Sequence, residues 1–198
     1  MVIKRCFDLL FSITGLIVLS PLLIVVSVII FFEDGNPVLF KQERPGKDEK
    51  LFYLLKFRTM KNLNDVKEEA QEDKFRITRL GNFLRKTSID ELPTLINVIK
   101  GDMSIVGPRP LLKEYLPLYS KEQKLRHIVK PGITGWAQIN GRNLLDWNEK
   151  FKLDVWYVRN RSLILDVKIF FISIFKVLKK EGISQRGEAT MKKFGGNN

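Results

Sequence analysis

The chain contains almost no cysteine or histidine. Among its 198 residues there is one cysteine, Cys6, and one histidine, His127. A disulfide needs a pair of cysteines and a zinc site built from Cys and His needs several of them, so both kinds of site are excluded. No Asp-x-Asp pair occurs either, which argues against glycosyltransferases that hold the metal of a nucleotide sugar in that way. The chemistry must therefore rest on carboxylates, hydroxyls, lysine or arginine.

Proline and glycine are also scarce, at 8 and 13 residues, while 44% of the chain is hydrophobic, so the sequence is that of a folded protein. Acidic residues are outnumbered, with 34 Lys and Arg against 22 Asp and Glu and a net charge of +12. Such a charge favours anionic partners, which include nucleic acid, phosphorylated small molecules and an acidic membrane surface. Charge alone does not choose among these three.

One long stretch lacks charge altogether. Residues 9–32 are 24 consecutive residues without a charged side chain, bounded by Lys4-Arg5 and Glu33-Asp34. A helix of that length reaches about 36 Å, more than the roughly 30 Å hydrocarbon core of a bilayer. The run is too long for a cleaved signal peptide, and no small-x-small cleavage site precedes the charges that follow it. The sequence predicts a membrane segment.

Ser20 and Pro21 lie almost at the centre of this segment. Proline has no N–H and its ring crowds the preceding turn, so we expect a bend, with the Ser20 hydroxyl bonding a carbonyl that the proline leaves free. Basic residues on both sides of the segment favour the cytoplasmic face for both ends, which predicts a re-entrant hairpin. A kinked helix that spans the bilayer is the alternative, and the residues leave both open.

The 166 residues that follow form one globular unit by size. Residues 38–40 and 51–57 have the pattern of short strands, and Pro45-Gly46 between them marks a turn, so we expect a β-hairpin. Residues 163–180 form an apolar helix with a basic end, which suits either the membrane interface or the protein core. The highly charged residues 62–74 are expected to form a solvated helix or loop without a chemical role.

Two adjacent acids are the first candidates for chemistry. Pro93 is tolerated only in the first turn of a helix, so a helix is expected to begin between residues 88 and 90, with Asp90 and Glu91 at its N-terminus. The backbone N–H groups there favour ionised carboxylates, which can serve as a nucleophile or as metal ligands. The alternative is structural, because Ser88-x-x-Glu91 also fits a capping box that only stabilises the helix.

Two loops present arginines. Prolines on both sides of Arg109, in Gly107-Pro108-Arg109-Pro110, stiffen the backbone and hold the guanidinium ready for a phosphate or a planar carbonyl. Residues 131–142 carry three glycines and end in Asn140-Gly141-Arg142, a pattern that lets backbone approach a phosphate while Arg142 neutralises its charge. A rigid turn and an Asn-Gly turn without functional importance are the alternatives.

Taken in order, these motifs resemble the bacterial sugar transferase family, the small monotopic polyprenol-phosphate phosphoglycosyl transferases. The resemblance runs through nearly the whole chain and rests on the following elements: Lys4-Arg5, Ser20-Pro21, Glu43-Arg44-Pro45-Gly46, Lys56-Phe57-Arg58-Thr59-Met60, Asp90-Glu91-Leu92-Pro93, Gly101-Asp102-Met103-Ser104, Gly107-Pro108-Arg109-Pro110 and residues 131–142. The tail, residues 187–198, is similar to the branch that handles N,N′-diacetylbacillosamine. Two positions depart from the pattern: Thr94, where many members have Gln, and Arg58, where that branch often has Lys.

The resemblance implies an α+β fold with a re-entrant membrane hairpin over residues 1–32, broken at Ser20-Pro21, and a mostly helical domain over residues 33–198 with a small β-hairpin and interfacial helices. This catalytic domain would lie on the cytoplasmic face of the bacterial inner membrane. The implied reaction moves a sugar 1-phosphate from a UDP-sugar to undecaprenyl phosphate and releases UMP. Nucleic acid is not an expected partner, and the oligomeric state is left open.

Residue by residue, the resemblance assigns Asp90 as the nucleophile that forms a covalent phosphosugar aspartate and Glu91 as its partner, with Mg²⁺ bound at this dyad. The implied anion contacts are Lys56, Arg85, Arg109 and Arg142. The donor implied by the tail is UDP-N,N′-diacetylbacillosamine, and UDP-galactose or UDP-N-acetylglucosamine for exopolysaccharide or capsule is the alternative. Two other classes compete: a nucleotide-sugar hydrolase and a basic membrane-surface adaptor without enzymatic activity.

Overall fold

The computed structural model describes residues 2–61, 76–141, 145–179 and 194–196. The charged segment 62–74 therefore lies outside the described residues. Helices alternate with short strands, in agreement with the expected α+β class. The elements bounded within the described ranges are α1 (Val2–Asp34), β1 (Leu39–Pro45), β2 (Leu51–Phe57), α2 (Arg79–Thr87), α3 (Thr94–Lys100), β3 (Ser104–Val106), β4 (Gly132–Thr134), α4 (Trp136–Ile139), α5 (Trp147–Asn160) and α6 (Leu163–Leu178).

Helix α1 continues through Pro21. The proline cannot donate to the carbonyl of Ile17, and the Ser20 hydroxyl donates to that oxygen instead, at 2.8 Å. This confirms the predicted compensation for the missing N–H. The helix is long and apolar enough to cross a membrane, and only 11% of its most apolar window is buried in the protein. Helix α1 therefore leaves most of its apolar surface for lipid.

Both ends of α1 are bound to the folded body of the chain. At the start, Lys4 forms an ion pair with Asp166 of α6 at 2.6 Å, and Arg5 donates to two carbonyls near the end of α3 at 2.6 and 2.8 Å. At the other end, the buried guanidinium of Arg58 donates to the carbonyls of Asp34 and Gly35, each at 2.5 Å. One body of protein thus contacts α1 from end to end.

The predicted β-hairpin is present. Strands β1 and β2 pair antiparallel from Leu39↔Phe57 to Pro45↔Leu51, so β1 runs longer than the expected residues 38–40. The hairpin is fixed to α3 by Asn97, which is 1% exposed. Its Oδ1 accepts from the Leu55 N–H at 3.0 Å and its Nδ2 donates to the Tyr53 carbonyl at 2.8 Å. These bonds set the position of β2 against the segment that carries the acidic pair.

The expected helix start near Asp90 is confirmed in position, since a helical turn begins at Ile89 and contains both acids, but this turn is 3₁₀ and not α-helical. Ser88 ends α2 in the left-handed conformation, with φ 58°, and its side chain caps nothing. An N-cap residue needs extended backbone, so the predicted capping box with Glu91 cannot form here. Residues Ile89–Glu91 form a single 3₁₀ turn, and α3 begins only at Thr94. The acids lie on a tight turn between two helices.

The largest core cluster joins β2, α3, β3, α5 and α6, and a second cluster packs the later half of α1 against Phe57 and Leu84. Strand β3 pairs with β4 in parallel, an arrangement that the sequence did not suggest. The chain leaves β3 at Gly107, where an added Cβ would lie 2.4 Å from the carbonyl oxygen of Lys130. Glycine is required at that close approach, and the loop after it brings Arg109 toward the acidic pair.

Candidate active site

Four separate parts of the fold meet at the 3₁₀ turn. The turn supplies Asp90 and Glu91, strand β2 supplies Lys56, the loop after β3 supplies Arg109, and helix α2 supplies Arg85. Positions far apart in the sequence thus form one charged cluster.

Glu91 holds two of the cations. Lys56 Nζ donates to its Oε1 at 2.6 Å, and Arg109 binds both carboxylate oxygens, with Nη2 to Oε1 at 2.5 Å and Nη1 to Oε2 at 3.2 Å. Burial by itself would raise the pKa of Glu91, but Arg109 and Lys56 together hold that pKa well below its ordinary value. Glu91 is therefore ionised, and both of its oxygens accept hydrogen bonds from the two cations.

Asp90 has the opposite environment. Its side chain is buried, with the residue 8% exposed, and within the described ranges no hydrogen bond reaches its carboxylate. Its pKa is raised from 3.8 to about 6, mainly by burial and also by the neighbouring Glu91 carboxylate, while Lys56, Arg109 and Arg85 act in the other direction. At neutral pH Asp90 is thus mostly ionised, yet poorly stabilised in that form.

The two adjacent carboxylates differ in what they can do. Glu91 orients two cations, whereas the Asp90 carboxylate accepts no hydrogen bond from any described residue. A carboxylate of this kind can attack phosphorus, because few bonds have to be broken before it reacts. The surrounding cations are placed to receive a phosphate.

The remaining predicted residues have different positions. Arg85 Nε donates to Thr59 Oγ1 at 2.9 Å, and its charge reaches Asp90 without a hydrogen bond to it. Arg142 lies outside the described residues. Ser20 and Pro21 lie within α1 and belong to the membrane segment.

Sequence reasoning missed a buried ion pair behind Arg109. Arg126 and Asp154 are 3% and 5% exposed and contact each other at 2.8 Å. Arg126 Nη2 also donates to the backbone carbonyl of Arg109 at 2.7 Å. The pair therefore holds the loop that presents Arg109 to Glu91. Nothing in the sequence connects two residues 28 positions apart on different elements.

Both departures from the family pattern have structural roles. The buried Thr94 hydroxyl donates to the carbonyl of Glu91 and so stabilises the 3₁₀ turn. Arg58 ends α1, as described above.

One of the two carboxylates of the dyad, that of Asp90, is suited to bind Mg²⁺. Mg²⁺ is held by one or two carboxylates together with substrate phosphates and water. The oxygens of Asp90 accept no hydrogen bond in the described structure and fit this requirement, whereas those of Glu91 are taken by Lys56 and Arg109. Among the described residues no group of three or more His, Cys, Asp or Glu side chains lies together, so substrate phosphates would have to complete such a site.

An open cleft of about 80 Å³ lies beside Glu91. Its polar lining includes Arg44, Lys56, Glu91, Thr94 and Arg109, and its apolar lining includes Leu54, Met103, Leu111 and Ile133.

Comparison with known proteins agrees with this arrangement. The family model described as bacterial sugar transferase matches residues 1–180. The chain is 52% identical over 197 residues to the uncharacterized sugar transferase EpsL of Bacillus subtilis, covering 100% of this chain and 98% of that protein.

Two longer relatives have assigned activities. The chain is 42% identical over 184 residues to a UDP-glucose:undecaprenyl-phosphate glucose-1-phosphate transferase of Escherichia coli, covering 88% of this chain and 40% of that protein. It is 41% identical over 197 residues to an undecaprenyl-phosphate galactose phosphotransferase of Salmonella typhimurium, covering 91% and 41%. The chain thus spans less than half the length of these two proteins. From the extent of the family match and the near-complete alignment with the Bacillus protein, the chain belongs to the bacterial sugar transferase family of enzymes.

Proposed function

We propose that this enzyme transfers a sugar 1-phosphate from a UDP-sugar to undecaprenyl phosphate through a covalent intermediate on Asp90. The observation that carries the proposal is the contrast within the dyad: Glu91 is held by two cations, while Asp90 is buried, largely ionised and without a hydrogen bond from the described residues. The names of the longer relatives support the two substrate classes.

In the first step an Asp90 oxygen attacks the phosphorus next to the sugar. The bond between that phosphorus and the bridging oxygen breaks, the electron pair leaves with UMP, and the sugar phosphate becomes an acyl phosphate on Asp90. In the second step an oxygen of undecaprenyl phosphate attacks the same phosphorus, and the Asp90 carboxylate leaves. One phosphoanhydride is exchanged for another, so no other energy source is required.

The other residues act on charge and position. Glu91 keeps Lys56 and Arg109 beside the reacting phosphate, and the Arg126–Asp154 pair keeps the loop of Arg109 in place. Catalysis of phosphoryl transfer relies on such positioning and on charge stabilisation. Arg85 and Arg142 are proposed as further anion contacts.

We also propose that Asp90, with phosphate oxygens of the donor, holds Mg²⁺, and that Glu91 contributes through its charge and not as a direct ligand. When bound, the ion would neutralise diphosphate charge and polarise the reacting phosphoryl group. The contacts of Lys56 and Arg109 with Glu91 do not require the ion.

The membrane segment is proposed to be re-entrant, with both ends on the cytoplasmic face of the inner membrane. The support is that one folded body binds Lys4 at the start of α1 and the Asp34 carbonyl at its end. Exposed apolar side chains on α1 and α6, among them Ile17, Val18, Ile164 and Phe175, suit lipid contact. Single cysteines at Val2 and Lys41, in a Cys6→Ser background, would both be labelled only after the cells are permeabilised. Labelling of position 2 from outside intact cells would contradict the hairpin.

The identity of the sugar on the donor is a separate proposal. The resemblance of residues 187–198 points to UDP-N,N′-diacetylbacillosamine, and the relatives include enzymes named for glucose, galactose and N-acetylgalactosamine. A panel of these UDP-sugars and UDP-N-acetylglucosamine, read by UMP release with undecaprenyl phosphate present, identifies the donor. That assignment would be refuted if the enzyme does not turn over the bacillosamine donor, or turns it over no faster than the other donors.

The intermediate is tested with the full chain, Mg²⁺ and donor, but without acceptor. We expect UMP release limited to about one equivalent and a phosphosugar adduct on Asp90 by mass spectrometry. Addition of undecaprenyl phosphate should remove the adduct and restore turnover. Continuous release of sugar phosphate without lipid would indicate the hydrolase instead, and no product from any donor would favour the adaptor.

A further inference from the structure

Arg44 is a half-buried cation on strand β1 of the hairpin. In the register of the hairpin, Arg44 is opposite Phe52, Gln42 is opposite Leu54 and Phe40 is opposite Lys56, so Arg44 and Lys56 are on the same face. Its Nη2 donates to Gln42 Oε1 at 2.6 Å. Its Nε is buried without a hydrogen-bond partner, and among the described residues no carboxylate lies within ion-pair distance of it.

The cleft beside Glu91 has an excess of positive charge. Arg44, Lys56 and Arg109 all line it, and Glu91 is the one acidic side chain among its lining residues. Glu91 is already bound by Lys56 and Arg109. The pKa of Arg44 is lowered to about 10, mainly by burial and also by repulsion from Arg109, while Glu114, Tyr115 and Glu91 act in the other direction. A partly buried guanidinium next to another cation is unfavourable unless an anion is present for part of the cycle.

We infer that Arg44 and Arg109 form a phosphate-binding subsite of the cleft, with Arg44 as a direct ligand contact. The inference deepens the proposed function and rests on it for the identity of the substrates. Guanidinium groups bind phosphate through paired N–H donors, and Nη1 of Arg44 makes no hydrogen bond within the described structure. The phosphate belongs either to the uridine nucleotide or to the lipid acceptor, and the chemistry of recognition is the same for both.

Binding measurements with the full chain in nanodiscs separate the two sources. One arm compares UMP with uridine, and the other compares undecaprenyl phosphate with undecaprenol. We expect Arg44→Gln to weaken binding of one phosphate-bearing ligand at least tenfold while leaving its phosphate-free counterpart unchanged, and Arg44→Lys to weaken it less. Lys41→Gln is the matched control, because Lys41 is an exposed cation on the opposite face of the same strand.

Steady-state kinetics separate a ligand contact from a structural role. A contact raises KM for one substrate about tenfold and changes kcat less than threefold, whereas a distorted hairpin lowers kcat for both. If Arg44→Gln does not fold, Arg44→Lys decides the question by the same KM comparison at an unchanged unfolding temperature. The inference is overturned if the Arg44 variant that folds binds UMP and undecaprenyl phosphate as tightly as Lys41→Gln. Failure of the proposed function gives a different result. The wild type then turns over no UDP-sugar, while substitution of Arg44 still weakens binding of a phosphate-bearing ligand.

Discussion

Replacing Asp90 with Asn should abolish turnover and also make the protein more stable. Folding raises the pKa of Asp90 from 3.8 to about 6, so at pH 7.5 the fold carries a carboxylate that it disfavours. A rise of that size corresponds to about 3 kcal/mol, and allowing for relaxation around the 8% exposed residue we expect about 1 to 3 kcal/mol. For a domain of this length that raises the unfolding temperature by about 3 to 10 °C.

The gain has a defined pH dependence. A carboxyl group whose pKa is raised by folding favours the folded state below its unfolded pKa, and this advantage is lost as the pH rises through the folded value. The difference between Asp90→Asn and the wild type should therefore be largest above pH 7 and mostly absent near pH 4. Unfolding temperatures of both proteins in nanodiscs across that range measure it.

Glu91→Gln is the matched comparison within the same turn. Glu91 has a lowered pKa because Arg109 and Lys56 stabilise its charge, so its removal leaves two cations unpaired and should cost about 2 kcal/mol at pH 7.5. Both variants should lose turnover, but their unfolding temperatures should move in opposite directions. If Asp90→Asn is destabilised as much as Glu91→Gln, the assignment of a strained, unpaired nucleophile is refuted.

Three further predictions concern the site and its support. Formation of the phosphosugar adduct should fall as the pH drops through about 6, because protonated Asp90 cannot attack; an adduct rate that is flat down to pH 5 would contradict this. Arg126→Gln should lower kcat about 10- to 100-fold and destabilise the protein by about 3 kcal/mol, since it leaves Asp154 buried and unpaired, while Arg159→Gln, which breaks the exposed pair with Glu122, should change either value little. Ser20→Ala should lower the unfolding temperature in a bilayer when Pro21 is present and have little effect in a Pro21→Ala background, where the Ile17 carbonyl regains a backbone donor.

The sequence predicted those parts of the structure that depend on local pattern. The apolar run, the Ser20 contact to the Ile17 carbonyl and the β-hairpin all follow from residues close together in the chain. The helical turn at Asp90 begins within the predicted range, but the capping box with Glu91 does not form, because Ser88 adopts the left-handed conformation that ends α2. Local propensity does not show whether Ser88 ends α2 or caps the following turn with its side chain.

Long-range contacts could not be predicted in the same way. The clustering of Lys56, Arg109 and the dyad was implied by family resemblance, but the division of labour between Asp90 and Glu91 depends on which carboxylate the cations reach. The Arg126–Asp154 pair and the parallel pairing of β3 with β4 depend on packing between distant segments. Such contacts appear only when the chain is folded.

The packing of α1 determines what happens to the folded domain when this helix is deleted or shifted. Val26 and Ile30 of this helix share a core cluster with Phe57 and Leu84, and Gly15 lies against Leu95 of α3. The helix that faces lipid thus also contributes residues to the hydrophobic core of the folded domain. Deleting it to obtain a water-soluble fragment would open that core, and a shift of the helix would act on the turn of Asp90, because Ile89 packs against the same cluster.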